Sequence, residues 1–217
     1  MCKSIQYASR FLMHINAQDK ETAARFRALF VGMRDARKLF RLFKSLNELE
    51  KLQALLTKTP ANMDELDLLL NIGARLGFFG YWIFDNLQIL AQVKMINKQP
   101  ADFLKPASFF WWLGNVFNFI TAVKKLKSID REVASKGELI AKDPSKKDEF
   151  KARFEVLKDQ RNAAIRMLLK SCGDLVTSSV GWGLTTKLGL KVNDGHIGFS
   201  GLVSAVIATW EAFPARK

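Results

Sequence analysis

The chain has 217 residues, a formal net charge of +13 and a pI near 9.9. That basic balance points to anionic partners: lipid headgroups, nucleic acid or acidic protein surfaces. Two cysteines, Cys2 and Cys172, make no framework and argue against a disulfide-stapled secreted domain, while 17 Phe and 5 Trp against 2 Tyr suit membrane-associated helices.

Helical periodicity dominates, and no alternating run is strong enough for a strand. Lys3, Arg10 and His14 interrupt the first fifteen residues, which therefore do not read as a secretory signal. Residues 3–15 make a short helix with Ile5, Ser9, Leu12 and Met13 on one side. A long helix is predicted from about Lys20 to Lys58, ended by Thr59-Pro60-Ala61-Asn62, because proline cannot continue a helix interior. Inside it, Arg34, Arg37, Lys38, Arg41, Lys44 and Ser45 share one narrow arc. Met33, Ala36, Leu39, Phe40, Leu42, Phe43, Leu46 and Leu49 fill the opposite, wider one, and only Asp35 falls on the wrong side. Such a stripe suits a helix lying in the surface of an anionic bilayer, although a core helix with a solvated charged face gives the same pattern. At about 1 kcal/mol per cation near an anionic surface, five would contribute roughly 5 kcal/mol at low screening.

Residues 66–93 are apolar yet carry Asp67, Arg75 and Asp85. From Pro106 to Val123 eighteen residues pass without a charge. That run reaches about 27 Å, marginal for a hydrocarbon core of about 30 Å. Asn115 and Asn118 weaken it as a span, while Trp111 and Trp112 suit an interface or a packing position. Asp143-Pro144-Ser145 then supplies helix-start chemistry, and Phe150, Phe154, Leu157, Arg161, Ala164, Leu168 and Cys172 recur as one seam. Two last apolar stretches, Leu175–Thr186 and Gly195–Trp210, flank a polar turn at residues 191–194. Gly198, Gly201 and Ala205 in the second are candidates for close helix packing or self-association.

Residues 1–59 hold twelve Lys/Arg against five Asp/Glu, and residues 124–170 fourteen against eight. One full span at 106–123 would separate these basic sections, contrary to the positive-inside tendency. Two apolar hairpins, 66–123 and 175–210, would leave both in the cytosol. The expected fold is all-α: a membrane-associated helical bundle with a long basic amphipathic helix and apolar helical hairpins. Its one domain divides into an N-terminal amphipathic region (1–60), an apolar hairpin (61–123), a polar basic section (124–172) and a C-terminal apolar hairpin (173–217).

Catalysis finds no support. His14 and His196, the only histidines, have no metal-ligand spacing around them. Gly181-Trp182-Gly183 lacks the rest of a dinucleotide fingerprint, and no Walker A string is present. The expectation is therefore no catalytic residues, no metal and no cofactor. A pore for small metabolites is an alternative, motivated by Arg75 and Asp85 in apolar settings. A nucleic-acid-binding helical domain rests on charge alone, and the Phe-rich uncharged stretches argue against it.

Several strings, in order, resemble one family. Gln6-Tyr7-Ala8-Ser9-Arg10-Phe11-Leu12 is similar to the Q-Y-x-x-R-F-L box of the peroxin-eleven family, the peroxisomal membrane proliferation factors, and Arg37–Leu46 to its R-K-x-x-R-x-x-K-x-L helix. Phe84-Asp85-Asn86-Leu87, Phe110-Trp111-Trp112-Leu113-Gly114, Gly173-Asp174-Leu175 and Gly198–Ala205 resemble later sections of the same family. Relatives carry a further segment before the first box, whereas this chain begins Met1-Cys2-Lys3. The resemblance implies a protein of the peroxisomal or glycosomal membrane that binds anionic phospholipid, then bends and elongates the organelle. It also implies self-association, a dynamin-related fission GTPase with its adaptor, and the membrane-protein import receptor as partners. The lipid-binding residues it implies are Arg34, Arg37, Lys38, Leu39, Phe40, Arg41, Leu42, Phe43, Lys44 and Leu46, with the basic regions facing the cytosol.

Overall fold

Helix starts follow the capping chemistry of the chain. Asp19 Oδ1 accepts from the Glu21 and Thr22 amides at 3.0 and 3.1 Å, and Asp143 Oδ1 accepts from the Ser145 amide at 3.2 Å. Asn193 and His196 close a reciprocal box: the His196 amide donates to Asn193 Oδ1, and His196 Nδ1 accepts from the Asn193 amide. The computed structural model describes residues 1–58 and 63–213. Among them the regular elements are helices: α1 (Cys2–Ile15), α2 (Lys20–Leu39), α3 (Lys44–Thr57), α4 (Glu65–Gln92), α5 (Leu104–Lys142), α6 (Lys147–Trp182), α7 (Leu184–Lys187) and α8 (Asp194–Ala212). Short 3-10 turns at Pro100–Phe103 and Pro144–Lys146 join α4 to α5 and α5 to α6.

The single helix expected from Lys20 to Lys58 is instead two, α2 and α3, joined through residues 40–43. The Thr59–Asn62 break lies outside the described residues. Further along, α5 and α6 are continuous over 39 and 36 residues, about 58 and 54 Å at 1.5 Å per residue. The polar section 124–172 is therefore the second half of α5 and most of α6, antiparallel to each other. Glu132 meets Arg153 at 2.7 Å on two bonds, and Trp182 closes the other end against Phe109 and Trp112. Leu157 and Ala164 of the expected seam are buried, with Ser171 continuing it; Arg161 and Cys172 stand at the surface.

Small residues let the other helices approach closely. A Cβ on Gly77 of α4 would lie 2.6 Å from the Gly114 amide nitrogen of α5, so that crossing requires glycine. Gly73 and Gly80 flank it at helical spacing, against Phe117 and Phe110. In the same manner α8 lays Gly195, Gly198 and Gly201 on His14, Phe11 and Tyr7 of α1. Helix pairs α4–α5, α5–α6, α6–α8, α8–α1 and α1–α2 follow one another around the molecule, and α2 returns to touch α4.

No helix among the described residues is long and apolar enough to cross a membrane. One face of each expected hairpin packs inside the bundle, while Leu69, Leu76, Phe199 and Val206 stay exposed. Within Pro106–Val123, Gly114, Asn115 and Ala122 are buried, and Asn115 Nδ2 donates to the Trp111 carbonyl at 2.8 Å. Arg75 and Asp85 are likewise not left to snorkel. Arg75 pairs with the buried Glu48 of α3 at 2.8 Å, and Asp85 pairs with Arg41 at 2.9 Å.

Candidate functional site

Residues 34–46 do not form the straight stripe that their periodicity predicts. After α2 the backbone bonds tighten: Arg41 N–H donates to the Lys38 carbonyl at 3.0 Å and Lys44 N–H to the Arg41 carbonyl at 3.2 Å. Phe43 adopts φ +63, a left-handed conformation that a bulky side chain disfavours by roughly 1–2 kcal/mol. That kink redistributes the two faces of the segment.

The cations turn toward the protein. Arg37 Nη1 donates to Gln6 Oε1 of α1. Arg41 reaches α4, donating to the Tyr81 hydroxyl at 3.2 Å and to Asp85 Oδ1 at 2.9 Å. Lys38 Nζ donates to Gln92 Oε1 at 3.1 Å, and Arg34 is held by Asp35 at 2.9 Å. Lys44 lies 5.2 Å from the Trp82 ring centroid, with Arg41 at 5.6 Å from the same ring. The apolar residues turn out instead: Leu39, Phe40, Phe43 and Leu46 are 57, 81, 68 and 56% exposed, while Leu42 is half-buried. All ten proposed lipid-binding residues sit around one bend, but Arg37 and Arg41 are committed inside it.

Behind the bend lies a cavity of about 490 Å³. Its polar wall carries Lys3, Arg34, Arg37, Arg41 and Lys44, and its aromatic wall Phe78, Tyr81, Trp82 and Trp111. Tyr81 and Trp111 stack with centroids 5.5 Å apart. Lys3 is anchored across the cavity by Asp174 at 3.0 Å and by the Ser204 hydroxyl at 2.7 Å. Burial holds the Lys3 ammonium below its ordinary range despite Asp174, and burial lowers Arg37 with Arg41 adding to the effect. Lys44 is lowered by burial and then by its cationic neighbours Arg41, Arg37 and Lys51. Burial pushes the Asp85 carboxyl up, against the pull of Arg41, Lys38, Arg37 and Lys44.

Gly198, Gly201 and Ala205 find their contact inside the monomer. Gly198 and Gly201 meet α1, and Ala205 is fully buried. His14 packs on Gly195, His196 caps α8, and no cluster of three metal-ligating side chains exists among the described residues. Sequence reasoning singled out Arg75 and Asp85 as anomalous charges but not their partners, Glu48 and Arg41. It passed over Lys3, Gln6, Tyr81 and Trp82 as site residues. Gly73, Gly77 and Gly80 were visible as a small-residue ridge that would have paired α4 with α5.

Fold and site together define a basic, all-helical bundle whose cations are gathered inside a bend and whose apolar side chains project from it. The chain belongs to the family described as Peroxisomal biogenesis factor 11 (PEX11), which matches residues 1–213. It is 27% identical to Peroxisomal membrane protein 11-5 of Oryza sativa subsp. japonica over 219 residues, covering 99% of this chain and 87% of the relative. To Peroxisomal membrane protein 11C of Arabidopsis thaliana it is 26% identical over 221 residues, covering 100% and 86%. To Peroxisomal membrane protein PMP30B of Candida boidinii it is 25% identical over 240 residues, covering 100% and 89%. No solved structure matches the chain.

Proposed function

We propose that this protein is a non-enzymatic factor of the peroxisomal membrane that docks on anionic lipid through the bend at residues 39–46 and bends and elongates that membrane. The observation carrying this reading is the cluster of Leu39, Phe40, Phe43 and Leu46, exposed at a backbone turn that itself costs free energy. Strain kept at an exposed apolar bend fits a functional device better than a packing solution. The names of the relatives supply the membrane, and family membership supplies organelle biogenesis.

Magnitudes decide how the docking works. Arg37 and Arg41 are turned inward and Lys44 lies on the Trp82 face, which leaves Arg34 and Lys38 to meet headgroups, worth about 2 kcal/mol at low screening and less at physiological salt. Scaled by their exposure, the four apolar side chains contribute about 4 kcal/mol on insertion even at the low end of 1.5–3 kcal/mol per fully buried side chain. Apolar insertion therefore outweighs charge, and the wedge expands one leaflet. Self-association and the recruitment of a dynamin-related fission GTPase and its adaptor belong to this proposal as later steps, as does delivery by the membrane-protein import receptor. The pore reading gains nothing from Arg75 and Asp85, which are spent in ion pairs within the monomer.

Flotation of the full chain with anionic vesicles tests the reading. Phe40→Ser with Phe43→Ser is expected to abolish vesicle binding and tubulation while leaving the helical circular dichroism unchanged. Moderate salt should weaken wild-type binding without removing it. Full binding by the double variant would sink the wedge.

A further inference from the structure

The cavity behind the bend holds more positive charge than the protein neutralises. Five cations line it, and three carboxylates answer them: Asp35 holds Arg34, Asp85 holds Arg41, and Asp174 holds Lys3. Arg37 and Lys44 have no carboxylate within ion-pair distance among the described residues; one contacts the neutral Gln6 amide and the other the face of Trp82. In addition, the buried Arg41 Nε has no hydrogen-bond partner among the described residues. Gathering like charges and leaving a guanidinium N–H unused in a half-enclosed space is unfavourable unless an anion completes the set.

Shape and lining narrow the anion. The volume, about 490 Å³, lies in the range of small-ligand pockets. Guanidinium forks match tetrahedral oxyanions bidentately, and an ammonium adds a point charge. Beside them, Tyr81, Trp82 and Trp111 form an aromatic wall against which an uncharged portion can pack. Phe40 lines the cavity and is also 81% exposed, so its ring stands at the mouth, on the side where the apolar cluster projects.

We infer that this cavity binds the phosphate of a phosphomonoester, with Arg37, Arg41 and Lys44 on its oxygens and the aromatic wall against the rest of the molecule. Two sources carry that chemistry: the headgroup of a phosphomonoester lipid entering at Phe40, or a free organic phosphate. The recognition does not depend on the apolar wedge, since the cations face the cavity whether or not Phe40 and Phe43 are in lipid.

Tryptophan fluorescence of the full chain, reporting on Trp82 and Trp111, is measured in one arm with inorganic phosphate and glycerol 3-phosphate. The other arm uses phosphatidylcholine vesicles with and without phosphatidic acid. The variant is Arg37→Gln with Lys44→Gln, which strands no carboxylate, and Arg27→Gln removes one exposed cation of α2 that does not line the cavity as the control. Saturable binding in the soluble arm, weakened about tenfold or more in the double variant and unchanged in the control, identifies a free phosphate. The same dependence confined to phosphatidic acid identifies the lipid headgroup. Equal binding by the double variant and wild type in both arms, or no preference for phosphate in either, overturns the site. Vesicle binding that survives in the double variant leaves the wedge standing, so the two proposals fail separately.

Discussion

Arg41 and Asp85 meet at 2.9 Å with side chains only 14 and 4% exposed, and Asp85 Oδ2 has no hydrogen-bond partner among the described residues. A pair this buried adds little net stability, because desolvation offsets most of its attraction, but breaking one side strands the other. Arg41→Met is therefore expected to destabilise the fold by about 3–5 kcal/mol in urea unfolding, and adding Asp85→Leu should recover most of that loss. Equal losses in the single and double variants would show that the pair does not anchor the bend to α4. From sequence, Asp85 was visible as a carboxylate in apolar surroundings. Its partner was not, because Arg41 sits 44 positions away and read as one of six polar residues on a membrane-facing arc.

At the scale of the helices, close approach and strain decide what periodicity leaves open. Gly77→Ala places a methyl 2.6 Å from the α5 backbone, which has no flexible side chain to give way. It should cost about 1–3 kcal/mol. Gly137 in α5 and Gly32 in α2 meet nothing within 4 Å, so alanine there should stabilise by about 0.4–1 kcal/mol through helix propensity and unfolded-state entropy. Thermal midpoints moving the same way at all three positions would refute this account of α4–α5 packing. The division of residues 20–58 into α2 and α3 was not legible in the same way. Residues 40–43 are Phe, Arg, Leu and Phe, none of them a turn former, and it is the contacts of Arg37 and Arg41 with α1 and α4 that hold the bend.

For the whole molecule, the apolar territory is shared between an inside and an outside. Leu69, Leu76 and Ile83 follow at seven-residue intervals as exposed side chains of α4, and Phe199, Val206 and Trp210 share one exposed face of α8 at intervals of seven and four. Exposed apolar stripes of this kind mark surface that meets lipid or a partner rather than water. The basic halves of α5 and α6 end at residues 142–147, far along the hairpin from the bend. A protease-cleavable tag inserted there is expected to be cut on intact organelles, because fourteen Lys/Arg against eight Asp/Glu favour the cytosolic side. Protection of the tag would reverse the proposed orientation.

Composition and spacing alone determined an all-helical chain, its basic character and most helix starts, because these depend on local capping and 3.6-residue periodicity, and the resemblance of short strings in order pointed to the family. The direction in which the basic stripe faces was decided only by tertiary structure. An isolated helix at residues 34–46 keeps cations on one arc and Leu and Phe on the other, and both arcs have a plausible home in a bilayer. In the folded chain Gln6, Tyr81, Asp85 and Trp82 compete for those cations at contact distance. Charge-assisted contacts in a low-dielectric interior outweigh exposed ones, so the cations go in and the aromatic residues go out.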